Sequence, residues 1–555
     1  MKPNKLFAKF LLILAAASLA GGTGATAKNG APAPAQSVIR EAPPAPVFRD
    51  EERVAELAAR RARVAERIGP KSVIVLFSAE PRLYTNDVDY EFRQENNLFY
   101  LTNLNQRGAT LVIAPGSTPR EILFLPRRNP ARETWDGYMY SPEQARRLSG
   151  VTEIWDAREF EPFMRAVRTR QGYRPQGDSV LLSEQKQGPA LDPLFAAMTQ
   201  SDASLYLLLP PGDNSREFRQ EQDYAATWAR AATGLNVRSA WPIFVELRSR
   251  KSPLELRILQ HAIDISIEGH MRAQAVAPRA KTEYEVEAEI DYTYRRRNAD
   301  NWGYPNIVGC GPNATTLHYN ESQGQVRPND LILIDSGAEY QHYTADVTRT
   351  FPAGGKFSPA QSDIYNIVLA AQEASFKAIK PGASTIGDVH NASAEVIRDG
   401  LLRLGLITDR NSDQFRIWFM HGTSHWLGMN VHDVGIRAAP LEAGNVFTVE
   451  PGIYIREDAL EHLPKTPEME KFVAAVRPAF EKYKGIGVRI EDDVVVTADG
   501  YRNLSAALPR TIPEIEAFMA RARNEVRAEA KPYDGDRRHF HAFVGTAAEY
   551  WAAGR

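Results

Sequence analysis

The sequence predicts an α/β N-terminal domain followed by a larger α+β domain made of two similar halves. Three observations carry this reading. A chain of 555 residues is too long for one ordinary hydrophobic core and calls for two or three domains. Short apolar runs of strand length fill the first half: S-V-I-V-L-F (72–77), A-T-L-V-I-A (109–114), E-I-L-F-L (121–125) and S-L-Y-L-L-L (204–209). From Ser252 the pattern changes to helix, helix, strands, and then repeats, which reads as a pseudo-twofold arrangement.

Composition narrows the function classes. Hydrophobic residues at 43% and charged residues at 25% fit a soluble globular chain. Lys+Arg (67) nearly balances Asp+Glu (69), so charge gives no reason to expect nucleic acid or anionic lipid as a partner. The single cysteine, Cys310, excludes an intrachain disulfide and a thiolate metal cluster, and it reads as a small buried thiol.

Residues 1–27 read as a signal peptide. Lys2, Lys5 and Lys9 precede an apolar run at 10–20, and Ala25-Thr26-Ala27 has the form of a cleavage site. The expectation is an exported protein, secreted or periplasmic. No other run approaches a spanning length, so no stable membrane insertion is expected after processing. The Ala/Pro-rich stretch 28–48 reads as a linker rather than a packed element.

The N-terminal domain, 49–240, opens with a helix at 51–68, with Gly69 where a C-cap belongs. In the second domain, 241–520, S-P-L-E (252–255) is a capping box with proline at the first helical position, and T-E-Y-E (282–285) opens a second helix in the same way. Strands follow at 331–336 and 343–351. S-P-A-Q (358–361) and T-I-G-D (385–388) open two more helices, ended by Pro381-Gly382 and near Gly405, before strands at 445–450 and 487–497. Residues 521–555 form a C-terminal extension, whose aromatic residues point to docking on a second subunit and so to a homo-oligomer.

The chemistry concentrates in H-G-T-S-H-W-L-G-M-N-V-H-D-V-G (421–435), which holds three of the eleven histidines. Glycines at 422, 428 and 435 argue against a helix there and for backbone laid close to a site, with His421, His425 and His432 as working groups. The bland alternative is a loop of surface histidines. Four acids, Asp335, Asp346, Glu450 and Glu491, sit in strands that otherwise read as buried. A buried unpaired carboxylate costs several kcal/mol. Four of them, two from each half, ask for a shared positive charge; the alternative is four separate ion pairs. With His425 the set is rich in hard oxygen, which suits Mn²⁺, and Co²⁺ or Zn²⁺ with less preference. Five side chains exceed what one ion needs, so two divalent ions ~3.5–4 Å apart with a bridging water is the economical reading.

The D-x10-D spacing of Asp335 and Asp346, S-H-W-L-G with V-H-D-V-G, T-V-E-P-G-I-Y and G-V-R-I-E-D-D together resemble the pita-bread metallopeptidases, and within them the Xaa-Pro aminopeptidases (aminopeptidase P). F-R-Q-E-N-N-L-F-Y-L-T-N (92–103) and E-T-W-D-G-Y (133–138) resemble that family's N-terminal domain. The resemblance implies a pita-bread catalytic domain and hydrolysis, by a metal-bridging hydroxide, of the bond between an N-terminal residue and a following proline. It implies that Asp346 and Glu491 bridge two metals, that Asp335 binds one, and that His425 and Glu450 bind the other, with Glu450 also moving a proton. His318 and His432 would hold substrate and stabilise the oxyanion. His421 and Arg489 would line the proline side of the pocket and support the site, with Tyr454 beside the substrate. Peptides with proline in second place would be the partners, with no nucleic acid. A prolidase confined to Xaa-Pro dipeptides is the alternative, and a non-catalytic pita-bread binding protein is a further one. Two stretches depart from the family pattern, an inserted charged segment at 455–484 and the extension from 521.

Overall fold

The computed structural model describes residues 37–212, 216–229 and 233–522. Residues 1–27, read above as a signal peptide, residues 28–36 of the Ala/Pro-rich stretch, and 523–555 of the extension lie outside the described residues. From Val38 onward the chain forms one compact unit.

The first half is built on a seven-stranded mixed sheet. In spatial order its strands are Val180–Leu182, Ile154–Asp156, Glu121–Leu125, Thr110–Ile113, Ser72–Phe77, Ala203–Leu207 and Leu235–Ser239. All four apolar runs are in it. The central strand Ser72–Phe77 is buried throughout and pairs antiparallel to Thr110–Ile113 and parallel to Ala203–Leu207. Alternation sends Val73, Val75 and Phe77 into a core of the domain's own, with Phe124 and Trp155. Ile74 and Leu76 face the other way, into a core that runs on through Leu259 and Ile263 of the second half. The domain therefore shares part of its core with the second half. Both sheet faces are apolar, and the second is buried partly against the helices that follow. Arg60 and Glu255, both nearly buried, pair across the same boundary at 3.3 Å.

The helix Asp50–Ile68 ends as predicted, with Gly69 at φ 76° donating its N–H to Ala65. The linker reading of 28–48 is corrected over its described part. Ile39 and Ala42 are buried, Arg40 pairs with Asp264 at 3.1 Å, and Ala42 N–H donates to Glu268 at 2.8 Å. An extended chain has free backbone donors, and the buried carboxylate of Glu268 takes one of them.

The second half repeats a helix pair followed by a three-stranded antiparallel sheet. Helices Pro253–Val276 and Glu283–Arg296 precede strands Ile307–Cys310, Leu331–Ser336 and Val347–Pro352. Helices Pro359–Ala378 and Ile386–Leu404 precede Val446–Val449, Asp492–Val496 and Tyr501–Asn503. This is the pseudo-twofold pita-bread architecture. Capping boxes open three of the four helices, at Ser252, Ser358 and Thr385. At Thr282 the expected box is absent. Among the described residues its Oγ1 has no hydrogen-bond partner, and the N3 acid Glu285 accepts from Lys281 N–H at 2.7 Å instead.

Two strands read as continuous are interrupted. The 343–351 run splits into Tyr343–Thr344 and Val347–Pro352, leaving Asp346 in the gap. The 487–497 run splits into Gly487–Arg489 and Asp492–Val496, leaving Glu491 in the gap. The inserted segment forms the helix Pro467–Tyr483, whose Phe480 packs on Trp418 with ring centroids 6.1 Å apart.

Candidate active site

The strand interruptions decide where the acids point. Asp335 is the penultimate residue of an unbroken strand, and Glu450 follows the end of another. Asp346 and Glu491 leave the ladder, so their backbones bond outside it. Asp346 N–H donates to Asp493 Oδ2 at 3.1 Å, and Glu491 N–H donates to Thr348 O at 3.1 Å. A break of this kind re-aims a side chain that regular alternation would send elsewhere. It brings both acids into a cavity of about 770 Å³ between the two repeats.

Every residue singled out from sequence lines this cavity except Tyr454, which lies fully buried behind His421 and Arg489. Asp346, His425 and Glu491 offer ligand atoms within 4.8 Å of one another. His425 Nδ1–H donates to Trp426 O at 3.1 Å, which turns Nε2 toward Asp346 (3.2 Å) and Glu450 (3.5 Å). Asp335 Oδ2 accepts from Arg489 at 2.6 Å. The hydroxyl of Tyr304 lies 2.5 Å from Asp335 Oδ1 and 2.5 Å from Asp346 Oδ1.

The electrostatics are those of a site short of positive charge. Burial pushes the Glu491 carboxyl well above the usual range, and Asp346 and Glu450 add to it. Burial likewise raises Glu450 to about 7, and Asp346 is raised by burial and by Asp335. Asp335 alone is held low: burial opposes its charge, but Arg489 beside it prevails. One phenolic proton on Tyr304 serves two carboxylates. Hard oxygens, one imidazole and surplus negative charge in a dry pocket are the donor set of a divalent-cation centre, so Asp335, Asp346, His425, Glu450 and Glu491 fit that group.

His421 and His432 are neutral. His421 Nδ1–H donates to Gly422 O at 2.8 Å, so its Nε2 accepts from Tyr454 (2.9 Å), whose oxygen accepts from Arg489 (2.8 Å). Burial and Arg489 hold His421 down at about 3. His432 is lowered to about 4 by burial and by His425 and His318. Its ring sits edge-on to His425, with centroids 4.4 Å apart, and has no hydrogen bond among the described residues. His318 lines the same cavity from the first repeat.

Sequence reading missed Tyr304, which stands 31 and 42 residues from its partners with no local signal. The inserted segment 455–484 contributes no residue to the cavity lining.

Comparison with known proteins agrees with this geometry. Residues 257–498 match the model of metallopeptidase family M24, and residues 57–173 match that of the aminopeptidase P N-terminal domain. An Xaa-Pro aminopeptidase of Haemophilus influenzae is 35% identical over 477 residues, covering 84% of this chain and 97% of its own length. The structure of Pseudomonas aeruginosa aminopeptidase PepP superposes with a TM-score of 0.68 at 32% identity, over 85% of this chain and 98% of that one. Zinc-substituted Escherichia coli aminopeptidase P in complex with product gives a TM-score of 0.67 at 31% identity, over 86% and 100%.

Proposed function

The chain belongs to metallopeptidase family M24 and, within it, to the Xaa-Pro aminopeptidases, and from that premise we propose how its cavity releases a single N-terminal residue that precedes proline. The observation that carries the reading is the convergence of Asp346, His425 and Glu491 donor atoms within 4.8 Å, in a cavity also lined by His318 and His432.

When bound, divalent metal supplies a nucleophile from water at neutral pH and polarises the scissile carbonyl. The chain's own groups do the rest. His432, held neutral, and His318 donate N–H to the substrate and to the oxyanion as charge develops there. Glu450, raised to about 7, takes a proton and passes it to the departing nitrogen. That nitrogen carries no N–H when the second residue is proline, so the site gains nothing from an acceptor there. Neutral His421, fixed by Tyr454 and Arg489, lines the proline side.

Asp335, Asp346, His425, Glu450 and Glu491 would hold two ions, Asp346 and Glu491 serving both. Oxygen-rich ligation favours Mn²⁺ over Co²⁺ or Zn²⁺. Export is supported by the charged start, apolar run and Ala25-Thr26-Ala27 of the sequence. Among the described residues no helix is long and apolar enough to cross a membrane. Self-association is supported by large apolar side chains left in solvent on the N-terminal domain, Trp135 at 88% and Tyr138 at 75% exposure.

The test is a cleavage panel of Xaa-Pro dipeptides, Xaa-Pro-Yaa tripeptides and longer peptides, with alanine replacing proline as control. Tripeptides and longer peptides are expected to react at least as fast as dipeptides, because the inserted segment does not wall the cavity, and the alanine controls much more slowly. Turnover confined to dipeptides would establish a prolidase instead.

A further inference from the structure

Among the described residues the His432 side chain makes no hydrogen bond, so its position is set by the backbone on either side. Its neighbour Asp433 is anchored as few residues here are. Asp433 Oδ1 lies 2.5 Å from Arg248 Nη2, and Oδ2 lies 3.3 Å from Lys251 Nζ. All three side chains are 2% exposed or less. Asp433 N–H closes the loop onto Trp426 O at 2.8 Å. A Cβ on Gly428 would stand 2.2 Å from Asp433 Oδ2 and 2.9 Å from Lys251 Nζ, so the chain passes against the ion group with no room for a side chain.

Arg248 does not stop at Asp433. Its other terminal nitrogen donates to Asn97 Oδ1 at 2.8 Å, across 151 residues. Two neighbours of Asn97 hold the same loop: Asn96 donates to Asn430 Oδ1 at 2.7 Å, and Arg93 donates to Met429 O at 2.8 Å. The guanidinium fork thus joins the N-terminal half to the loop that carries His432.

We propose that Arg248 is a positioning residue for the reaction, setting His432 through Asp433, and that Asn97 makes the N-terminal domain part of this device. The proposal rests on the reading of His432 as a donor to the reacting carbonyl. A single buried ion pair could equally be a staple for the fold, and the two roles separate by coupling. A residue that acts through His432 matters only while His432 is present.

The experiment compares Arg248→Lys, which keeps the charge but loses the fork, and the milder Asn97→Ala, each in the native and the His432→Ala background. Metal content and melting temperature are recorded for all of them. In the native background kcat is expected to fall about tenfold, with KM within about threefold and metal content unchanged. In the His432→Ala background the same substitutions are expected to change kcat by less than about twofold. Equal losses in both backgrounds, or a loss in KM alone, would overturn the positioning role while leaving His432's own role intact. An unchanged kcat in His432→Ala itself would overturn the role of that histidine, and with it this proposal. Should Arg248→Lys fail to fold, Asn97→Ala carries the same comparison.

Discussion

His425 Nε2 lies 3.2 Å from Asp346 Oδ2, and this contact makes the metal-free protein sensitive to alkali. Burial opposes a charge on the imidazole, but the bond to Asp346 and the charge of Glu450 prevail and raise it to about 9. A histidine raised in the folded state adds stability below its unfolded value of about 6.5 and loses it as pH rises through the folded value. The buried Glu491 carboxyl, held far above its usual range, acts in the same direction. His421 and His432, lowered to about 3 and 4, are neutral in both states above pH 7 and contribute nothing there. The melting temperature of metal-depleted protein is therefore expected to fall between pH 7 and pH 9, and less steeply in His425→Gln. Added divalent metal should raise it most at the alkaline end, where the ligands are already deprotonated. A flat or rising profile without metal would contradict this.

Asp346→Ala and Glu491→Ala are expected to abolish retention of metal. Each removes a ligand that would serve both ions in the arrangement proposed here. His425→Ala should weaken one site and leave the other. Elemental analysis after dialysis checks this, and a full complement of metal in Asp346→Ala would rule out the sharing of that ligand.

Tyr304→Phe removes the hydroxyl that touches both Asp335 and Asp346, 2.5 Å from each. Groups that orient ligands from behind typically contribute 10–100-fold in affinity or activity. A loss of about that size in apparent metal affinity is expected, measured by competition with a chelator. An unchanged affinity would reduce Tyr304 to a packing residue.

What the sequence disclosed and what it concealed divide along sequence distance. The helix starts at Ser252, Ser358 and Thr385 are spelled within four residues, and each forms the reciprocal box. The acids were legible because charge inside an apolar run is a local contradiction. Tyr304, Arg248 and Asn97 have no such signature, since their partners lie 31 to 185 residues away. The strand gaps at Asp346 and Glu491 also escaped notice. A-D-V-T and R-I-E-D keep strand-like composition, and only pairing across the fold shows that the ladder breaks there. The reading of 28–48 as a linker failed similarly. Proline and alanine describe its stiffness but not the buried Glu268 that receives it.

Glu283, the residue after the helix N-cap Thr282, is a further buried group with a structural task. Its carboxylate is fully buried and accepts from Cys310 N (2.6 Å), Gly324 N (2.6 Å), Asn313 Nδ2 (2.9 Å) and Tyr319 OH (2.8 Å). It thus gathers both ends of the segment that carries His318. Glu283→Gln replaces one acceptor oxygen with a donor facing other donors. Hydrogen bonds to a charged group contribute roughly 1.5–3 kcal/mol, and a destabilisation of about that size is expected in denaturant titration. A variant as stable as the native protein would show that this segment is held by other contacts.

The last prediction concerns the free amine of the substrate. The cavity is lined by Asp335, Asp346, Glu450 and Glu491, and of the two arginines that line it, Arg489 lies 2.6 Å from Asp335. A protonated peptide terminus entering this field is attracted to these acids. An acetyl group removes the charge and the lone pair and adds bulk where the carboxylates converge. An amine anchored here would set the register of the cut, so release of single residues only is expected. N-acetyl-Xaa-Pro-Yaa is therefore expected to react at least about 10²-fold more slowly than the free peptide, the scale of one lost transition-state contact. Most of the loss should lie in kcat/KM. Equal rates for the two peptides would show that the acids do not read the terminus, and that the cavity measures the substrate from its proline side instead.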